Sequence, residues 1–485
     1  MNHRRLNSSL LLAATIVGVA ITGCVVGPNY QRPATATPPP AFKELPPPNP
    51  PNGTWKQAQP SDAALKGKWW EIYNDRQLNA LQDKVAVSNQ TLKAAAAQYL
   101  QAREQVRVAR ANYYPTLTAG PAVSRQQTSA NVPSATKGLT YGTFSLQGQA
   151  LWEPDLWGQV RRTVEQARAN AQASAADLAN VELSLRSELA MDYFELRGLD
   201  TQKELLDTTV ASDLDYLQLT QVRFKGGVST EVDVAQAETQ YQSVKAQAID
   251  VGVARAQFEH AIATLIGVPA SSFSLPPMPL TLALPTIPAG VPSELLERRP
   301  DIAGAERRTD AANAQIGIAI AAYYPNVTLN GGGGFESQTI GTWIQGPSAL
   351  WALGASAVET LFDAGRRHAL TAQARDAYDQ QTANYRQSVL NAFQEVEDNL
   401  AALRILNDEA ATQTAAVNAS ERSLAISTNR YKGGVTTYLE VLTAQTTQLT
   451  NQRTQADITT RQFAASVQLI KALGGGWDTS QLPPM

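Results

Sequence analysis

From residue 366 to residue 428 the chain contains neither Pro nor Gly, and apolar side chains return every seventh residue: Val389, Val396, Leu403, Ala410, Val417 and Leu424. A strict seven-residue period marks helices that pack side by side in a left-handed supercoil. The same phase runs through Leu189, Leu196, Val210 and Leu217, interrupted at Lys203. Roughly 63 helical residues span about 95 Å, far more than a globular domain needs. The rest of this surface is largely Ala, Gln, Asn, Thr and Ser, which suits a sheet of neighbouring helices with water on both sides better than a thick core. Gly226-Gly227 and Gly433-Gly434 end these helices, offering a glycine for the left-handed position after the last turn. Second helices are predicted from Thr230 to about Gly267 and from Thr437 to about Gly474. Two more run from about Asp75 to Tyr113 and from about Ser293 to Tyr323, each stopped by a proline.

Elsewhere the period drops to two. Between Thr140 and Trp152, Phe144, Leu146, Ala150 and Trp152 fall on one face and Thr143, Ser145, Gln147 and Gln149 on the other. Leu117, Ala119 and Val123 oppose Thr116, Thr118 and Ser124 in a shorter version. A later pair is predicted at 326–334 and 348–358, with Trp351, Leu353 and Ala355 sharing a face. Alternation in roughly ten-residue pieces is the pattern of outer-membrane strands, and it also fits an ordinary soluble hairpin. The paired tyrosines with Trp152, Trp157 and Trp351 suit an interfacial aromatic girdle. Four strands are too few to close a barrel, and an open sheet edge is not tolerated in lipid, so a membrane reading requires the chain to oligomerise.

The two halves are copies. Arg223-Phe224-Lys225-Gly226-Gly227-Val228-Ser229-Thr230 matches Arg430-Tyr431-Lys432-Gly433-Gly434-Val435-Thr436-Thr437. Tyr113-Tyr114-Pro115 matches Tyr323-Tyr324-Pro325, and Asp155-Leu156-Trp157-Gly158 matches Phe362-Asp363-Ala364-Gly365. Three matches in one order at an offset of about 207–210 make a tandem repeat. The first repeat is assigned to residues 69–280, with a hairpin at about 115–156. The second spans 281–475, with a hairpin at about 325–362, and 476–485 form a C-terminal tail.

The N-terminus changes the compartment. Arg4 and Arg5 precede an apolar run from Leu10 to Ile21, too short to span a bilayer, and Ile21-Thr22-Gly23-Cys24 closes it. Residues 1–23 read as a lipoprotein signal peptide and Cys24, the only cysteine, as the lipid-bearing residue. The alternative is an ordinary signal peptide with an incidental cysteine. Residues 24–68 form the lipidated N-terminus and a Pro-rich extended linker; the stretch 33–60 cannot bury a core and lies along the surface. Formal charge is −3, about −5 without Arg4 and Arg5. With no basic stripe, nucleic acid is set aside as a partner.

Catalytic candidates fail in turn. The run Gly331–Gly334 lacks a GK[ST] ending and a following helix, so close strand or turn packing is preferred to a phosphate cradle. Beyond His3 the histidines are His260 and His368, both on predicted helices, with no HExxH and no Ser/His/Asp grouping. No cofactor or metal is expected, and the chain is not read as an enzyme.

The Cys24 box, the tandem repeat, the R-[FY]-K-G-G-V turns and the stretch Glu297-Arg298-Arg299-Pro300-Asp301-Ile302 … Ala314-Gln315-Ile316-Gly317 … Tyr323-Tyr324-Pro325 resemble the TolC-like outer-membrane factor family. Within it they resemble the NodT-type lipoproteins of resistance–nodulation–division (RND) efflux pumps. The resemblance implies a homotrimer whose twelve strands close one outer-membrane β-barrel, continued by a long periplasmic α-helical barrel that tapers to a closed tip. It implies two protein partners, a periplasmic adaptor and an inner-membrane RND-type pump. It places the turns Lys225-Gly226-Gly227 and Lys432-Gly433-Gly434 at the tip as docking candidates, and it matches Asp233 and Glu440 to an acidic ring at the constriction. Thr443 stands where the family often has a second aspartate, which puts a second ring in doubt. Arg223, Arg430 and Tyr431, with Lys225 and Lys432, could tie the tip closed or serve as helix-end groups. Asp233 and Glu440 also fit helix capping. Two rival readings remain: a structural coiled-coil lipoprotein without a pore, and a duct for proteins or heavy-metal ions.

Overall fold

A computed structural model describes residues 25–35, 37–39, 42–44, 67–131, 133, 137–287, 298–477 and 479–483. Cys24 and the signal segment lie outside these residues, as does the stretch 288–297. The described elements run α1 (Arg76–Ser88), α2 (Gln90–Ala111), β1 (Thr116–Gln127), β2 (Thr140–Trp152), α3 (Gln159–Lys225), α4 (Glu231–Leu265), α5 (Pro300–Ala321), β3 (Asn326–Ser337), β4 (Ala349–Val358), α6 (Arg366–Lys432) and α7 (Tyr438–Ala472).

The strands form one antiparallel sheet in the order β1-β2-β3-β4. Its register pairs Leu117 with Ala150, Leu146 with Phe335 and Gly331 with Leu353, so the apolar positions of all four strands share one face. Thr118, Gln149, Gly332 and Ala352 line the other face in the same way. Leu117, Val123, Trp351 and Leu353 stand exposed on the apolar side, which is unfavourable against water and favourable against hydrocarbon. The Gly331–Gly334 run lies inside β3: a Cβ on Gly334 would overlap the Leu146 carbonyl oxygen, and one on Gly331 would meet Leu353 at 3.0 Å. Close strand approach explains these glycines.

The helices α3 and α6 each run unbroken for 67 residues, about 100 Å at 1.5 Å per residue. The heptad residues Leu189, Leu196, Leu217, Val389 and Val396 are buried along them. Beside these two columns the shorter helices stack end to end. The α4 C-terminus abuts the start of α2, where the Asn89 side-chain amide donates to the Leu265 carbonyl at 2.8 Å. The α7 C-terminus abuts the start of α5, where Arg299 Nη1 donates to the Ala472 carbonyl at 3.1 Å. Helix ends carry unpaired carbonyls, and each joint satisfies one of them from the next helix. Asn89 and Arg299 are 210 residues apart, so this joint is itself repeated.

These joints correct two expectations. The single helix from about Asp75 to Tyr113 breaks at Asn89, whose backbone is extended (φ −63°, ψ 125°) while its side chain caps α2 at Leu92 N. Of the helix expected from about Ser293 to Tyr323, residues 293–297 lie outside the described residues; α5 begins at Pro300, because the proline holds Arg299 extended (φ −105°, ψ 122°). Around the joints the core is thickest. Trp69, Trp70 and Tyr73 pack with Leu189, Phe194, Ile262, Phe463 and Val467, and the Phe194 and Phe463 rings lie 4.7 Å apart. A third correction concerns the linker: Phe42 is buried against Val396, Leu400 and Leu469, so this segment does contribute to a core.

Glycines at the joints are under tighter constraint than those at the helix-ending turns. Gly267 and Gly474 have left-handed backbones, φ 73° and 90°, and a Cβ on either would overlap a carbonyl oxygen, of Ser88 and Arg298 respectively. Gly227 has φ 72° but nothing within 4 Å of its Cβ position. Gly267→Ala and Gly474→Ala should each destabilise the protein by about 2–4 kcal/mol, against about 1 kcal/mol for Gly227→Ala. Thermal unfolding in detergent followed by circular dichroism ranks the three; equal effects would contradict the joint as drawn.

Candidate functional site at the helical tip

Two equivalent turns form the end of the molecule farthest from the sheet. In each, a Schellman motif closes the long helix: Val228 N donates to Arg223 O and Gly227 N to Phe224 O, both at 2.9 Å, with Val435 N to Arg430 O and Gly434 N to Tyr431 O in the second copy. Gly227 and Gly434 take the left-handed position, which only glycine adopts without cost. Lys225 and Lys432 are exposed beside them, as are Val228 and Val435.

The two copies then diverge. In the first, Thr230 and Asp233 form a complete capping box at the start of α4. Burial alone would raise the Asp233 carboxyl, but hydrogen bonds from the Thr230 amide, the Ser229 and Thr230 hydroxyls and the Tyr438 amide outweigh it and hold it below the usual carboxylate range. In the second copy Thr437 makes no side-chain cap. Glu440 is half exposed and faces Arg430 at 3.6 Å, an ion pair of little net strength in water.

Tyr431 is buried on the seam between the α3/α4 hairpin and the α6/α7 hairpin. Its hydroxyl donates to Thr220 Oγ1 at 3.4 Å, and its ring packs edge-on against Tyr438 at 5.7 Å. The Arg223 guanidinium lies 4.8 Å over the Tyr431 ring and donates to the Lys432 carbonyl at 3.3 Å. The structure thus brings Arg223, Tyr431 and Lys432 together across the seam, and Arg430 with Glu440 beside it. Sequence reasoning missed the remaining seam residues. Tyr216 bonds Thr428 at 2.8 Å, and Tyr438 Oη donates to Gln445, whose amide donates to Asp213 at 3.0 Å. Of these only Asp213 carries a signal in the sequence, an acid at a heptad core position between Val210 and Leu217.

At the other end, Trp152 Nε1 donates to the Tyr113 carbonyl and Trp157 Nε1 to the Pro325 carbonyl, and the Trp157 ring stacks on Tyr324 at 4.8 Å. An aromatic belt therefore sits where the strands become helices; Trp351 lies near the opposite end of its strand. The first described residues seat against this belt. Val26 N donates to Trp157 O, and the buried Arg162 donates to the Val26 and Gly27 carbonyls and to Asn29. No described helix is long and apolar enough to cross a membrane.

A family model for outer membrane efflux proteins matches residues 81–268 and 291–475. The chain is 29% identical over 470 residues to a probable efflux pump outer membrane protein of Pseudomonas putida, TtgC, covering 96% of each. It is 30% identical over 461 residues to the solvent efflux pump outer membrane protein SrpC of the same species, covering 95% of this chain and 97% of SrpC. The solved outer-membrane channel OprN superposes with a TM-score of 0.85 at 28% identity, covering 94% of this chain and all of OprN. The open state of Neisseria gonorrhoeae MtrE superposes at 0.80, with 28% identity and coverage of 93% and 98%. Matching over both repeats, from the sheet to the tip, shows that this chain belongs to the outer membrane efflux protein family and builds a trimeric outer-membrane efflux channel.

Proposed function

We propose that the trimer is the passive exit duct of a three-part efflux machine, shut at its helical tip until an adaptor and an inner-membrane, proton-driven pump engage it there. The single observation that carries this reading is the tip itself: two equivalent turns offering exposed Val228, Val435 and lysines, with carboxylates and an arginine–tyrosine pair directly behind them. Exposed apolar side chains beside cations, at the end of a rigid helical column, suit a partner that binds by helix packing with a polar rim. Repeated three times around an axis, Asp233 and Glu440 would present a carboxylate ring to passing ions and favour cations over anions. Cys24 carries lipid and anchors the chain at the inner rim of the barrel. The seating of Val26 against Trp157, at the aromatic belt, supports that placement.

Cargo is not set by the duct. Similar proteins are named for toluene, solvents, pyoverdine and cations, a range that a wide water-lined tube accommodates because it makes no specific contacts. The pump selects, and this chain conducts.

Single-channel recording in planar bilayers tests the gate. Wild-type trimers should give small, cation-preferring currents, and Asp233→Asn with Glu440→Gln should weaken the preference several-fold; identical selectivity in both proteins would sink the carboxylate ring. Docking has its own test. Val228→Asp with Val435→Asp should leave trimer yield intact yet restore drug susceptibility to a strain that depends on this channel. Unchanged resistance would remove these turns from the docking surface.

A further inference from the structure

Asp213 is the one carboxylate of the tip seam that is wholly enclosed, at 0% exposure. It occupies a core position of α3, three residues after Val210 and four before Leu217, where the heptad calls for an apolar side chain. Gln445 from α7 donates to its Oδ1 at 3.0 Å, Oδ2 has no hydrogen-bond partner within 3.5 Å, and the Gln240 side chain of α4 faces the carboxyl and offsets only part of the cost of its burial. The groups around it are Gln445 and Tyr438 from α7, Gln240 from α4 and its own α3 neighbours; no cation among them offsets a negative charge. The Tyr438 phenol feels the carboxyl and is itself held protonated by burial. The second repeat does without this arrangement: 207 residues on, the equivalent position is Ser420, whose hydroxyl is satisfied within its own helix by the Val417 carbonyl at 2.8 Å.

A buried carboxylate with a bare oxygen and no counter-charge is expensive when ionised and tolerable when it carries a proton. We infer that Asp213 is a proton-operated latch between the two hairpins of each subunit. As a neutral acid it lets α3, α4 and α7 close over it, and as a carboxylate it favours parting of the α3–α7 seam so that water can reach Oδ2. The direction of the response follows from linkage. Burial pushes the carboxyl up from 3.8 to about 6 in the closed seam, and in the opened seam it returns toward its ordinary value. A raised value means that closure binds the proton: the seam is tightest in acid, loosens as pH rises from about 4 to about 6, and changes little above that. Between pH 5.0 and 7.5 the opening equilibrium should increase about tenfold. The consequence for flow, a tip that yields more readily at neutral pH, rests on the reading of the tip as the closure.

A purely structural role for the Asp213–Gln445 pair, fixing the register of the coiled coil, would be independent of pH, which separates the two. Hydrogen–deuterium exchange of the detergent-solubilised trimer, read by mass spectrometry on peptides covering 208–222 and 436–447 and corrected for intrinsic rates, reports the seam directly. Asp192, another carboxyl raised by burial, to about 7, lies about 30 Å up α3 and falls outside these peptides. In the wild-type protein these amides should open about tenfold more at pH 7.5 than at pH 5.0. Asp213→Asn, which keeps the shape without the charge, and Asp213→Ser, which installs the second repeat's residue, should both abolish the difference. No difference in the wild type, or a difference that survives both substitutions, overturns the latch. Conductance of the same proteins at the two pH values separates the readings: pH-dependent exchange with pH-independent current leaves the latch standing and overturns the tip as the closure.

Discussion

A four-stranded sheet in lipid leaves the outward backbone groups of β1 and β4 without partners, and hydrocarbon supplies none. Each such group costs several kcal/mol, so the sheet is stable in a membrane only when its two edges meet the edges of other copies. Three copies bring twelve strands together in one closed barrel. The rest of the molecule follows from that closure, because every strand feeds a helix through a tight turn at the aromatic belt. Twelve strands in a ring therefore hang a ring of helices beneath them. The apolar face of the sheet, costly in water, becomes the lipid-facing surface of the barrel.

The helical part solves a different problem, which is how to make a long wall only one helix thick. A narrow heptad stripe buries each helix against its neighbours and leaves both wall surfaces polar. Two columns are continuous, and the other two are jointed at Asn89 and Arg299, where the core is widest and aromatic. Gly198 marks how close this packing is: a Cβ there would overlap the Thr460 side chain of α7. The wall is thus rigid at mid-height. At the tip it is thin, held by the Arg223–Tyr431 stack, a few hydroxyl bonds and the enclosed Asp213, interactions that are individually modest.

Where period and punctuation decide structure, the sequence is legible. The strand at Thr140–Trp152 and the Gly-Gly helix ends are set by local patterns, and the repeat makes each pattern count twice. The joint at Asn89 is hard to read, because neither Pro nor Gly marks it: the local sign is only an asparagine able to cap the next helix, and its partner at the joint, the Leu265 carbonyl, lies far along the chain. At the other joint Pro300 was a readable signal. Phe42 gives no pattern, since one aromatic in a Pro-rich segment gains its burial from a surface far along the chain. At the tip, Arg223, Tyr431 and Lys432 stand out through the repeated motif, whereas Asp213 shows in the sequence only as an acid at a heptad core position between Val210 and Leu217. Only the packing of α7 against α3 shows that it is enclosed.

Closure of the sheet by its own copies is the claim on which the account turns, and cross-linking tests it most directly. Single cysteines placed at successive positions along the free edges of β1 and β4, in pairs and in membranes, report whether those edges meet. Oxidation is predicted to join β4 of one copy to β1 of the next in a single antiparallel register, with the covalent ladder ending at three. No cross-link in any register, or a ladder that runs beyond three, would contradict a barrel closed by a trimer.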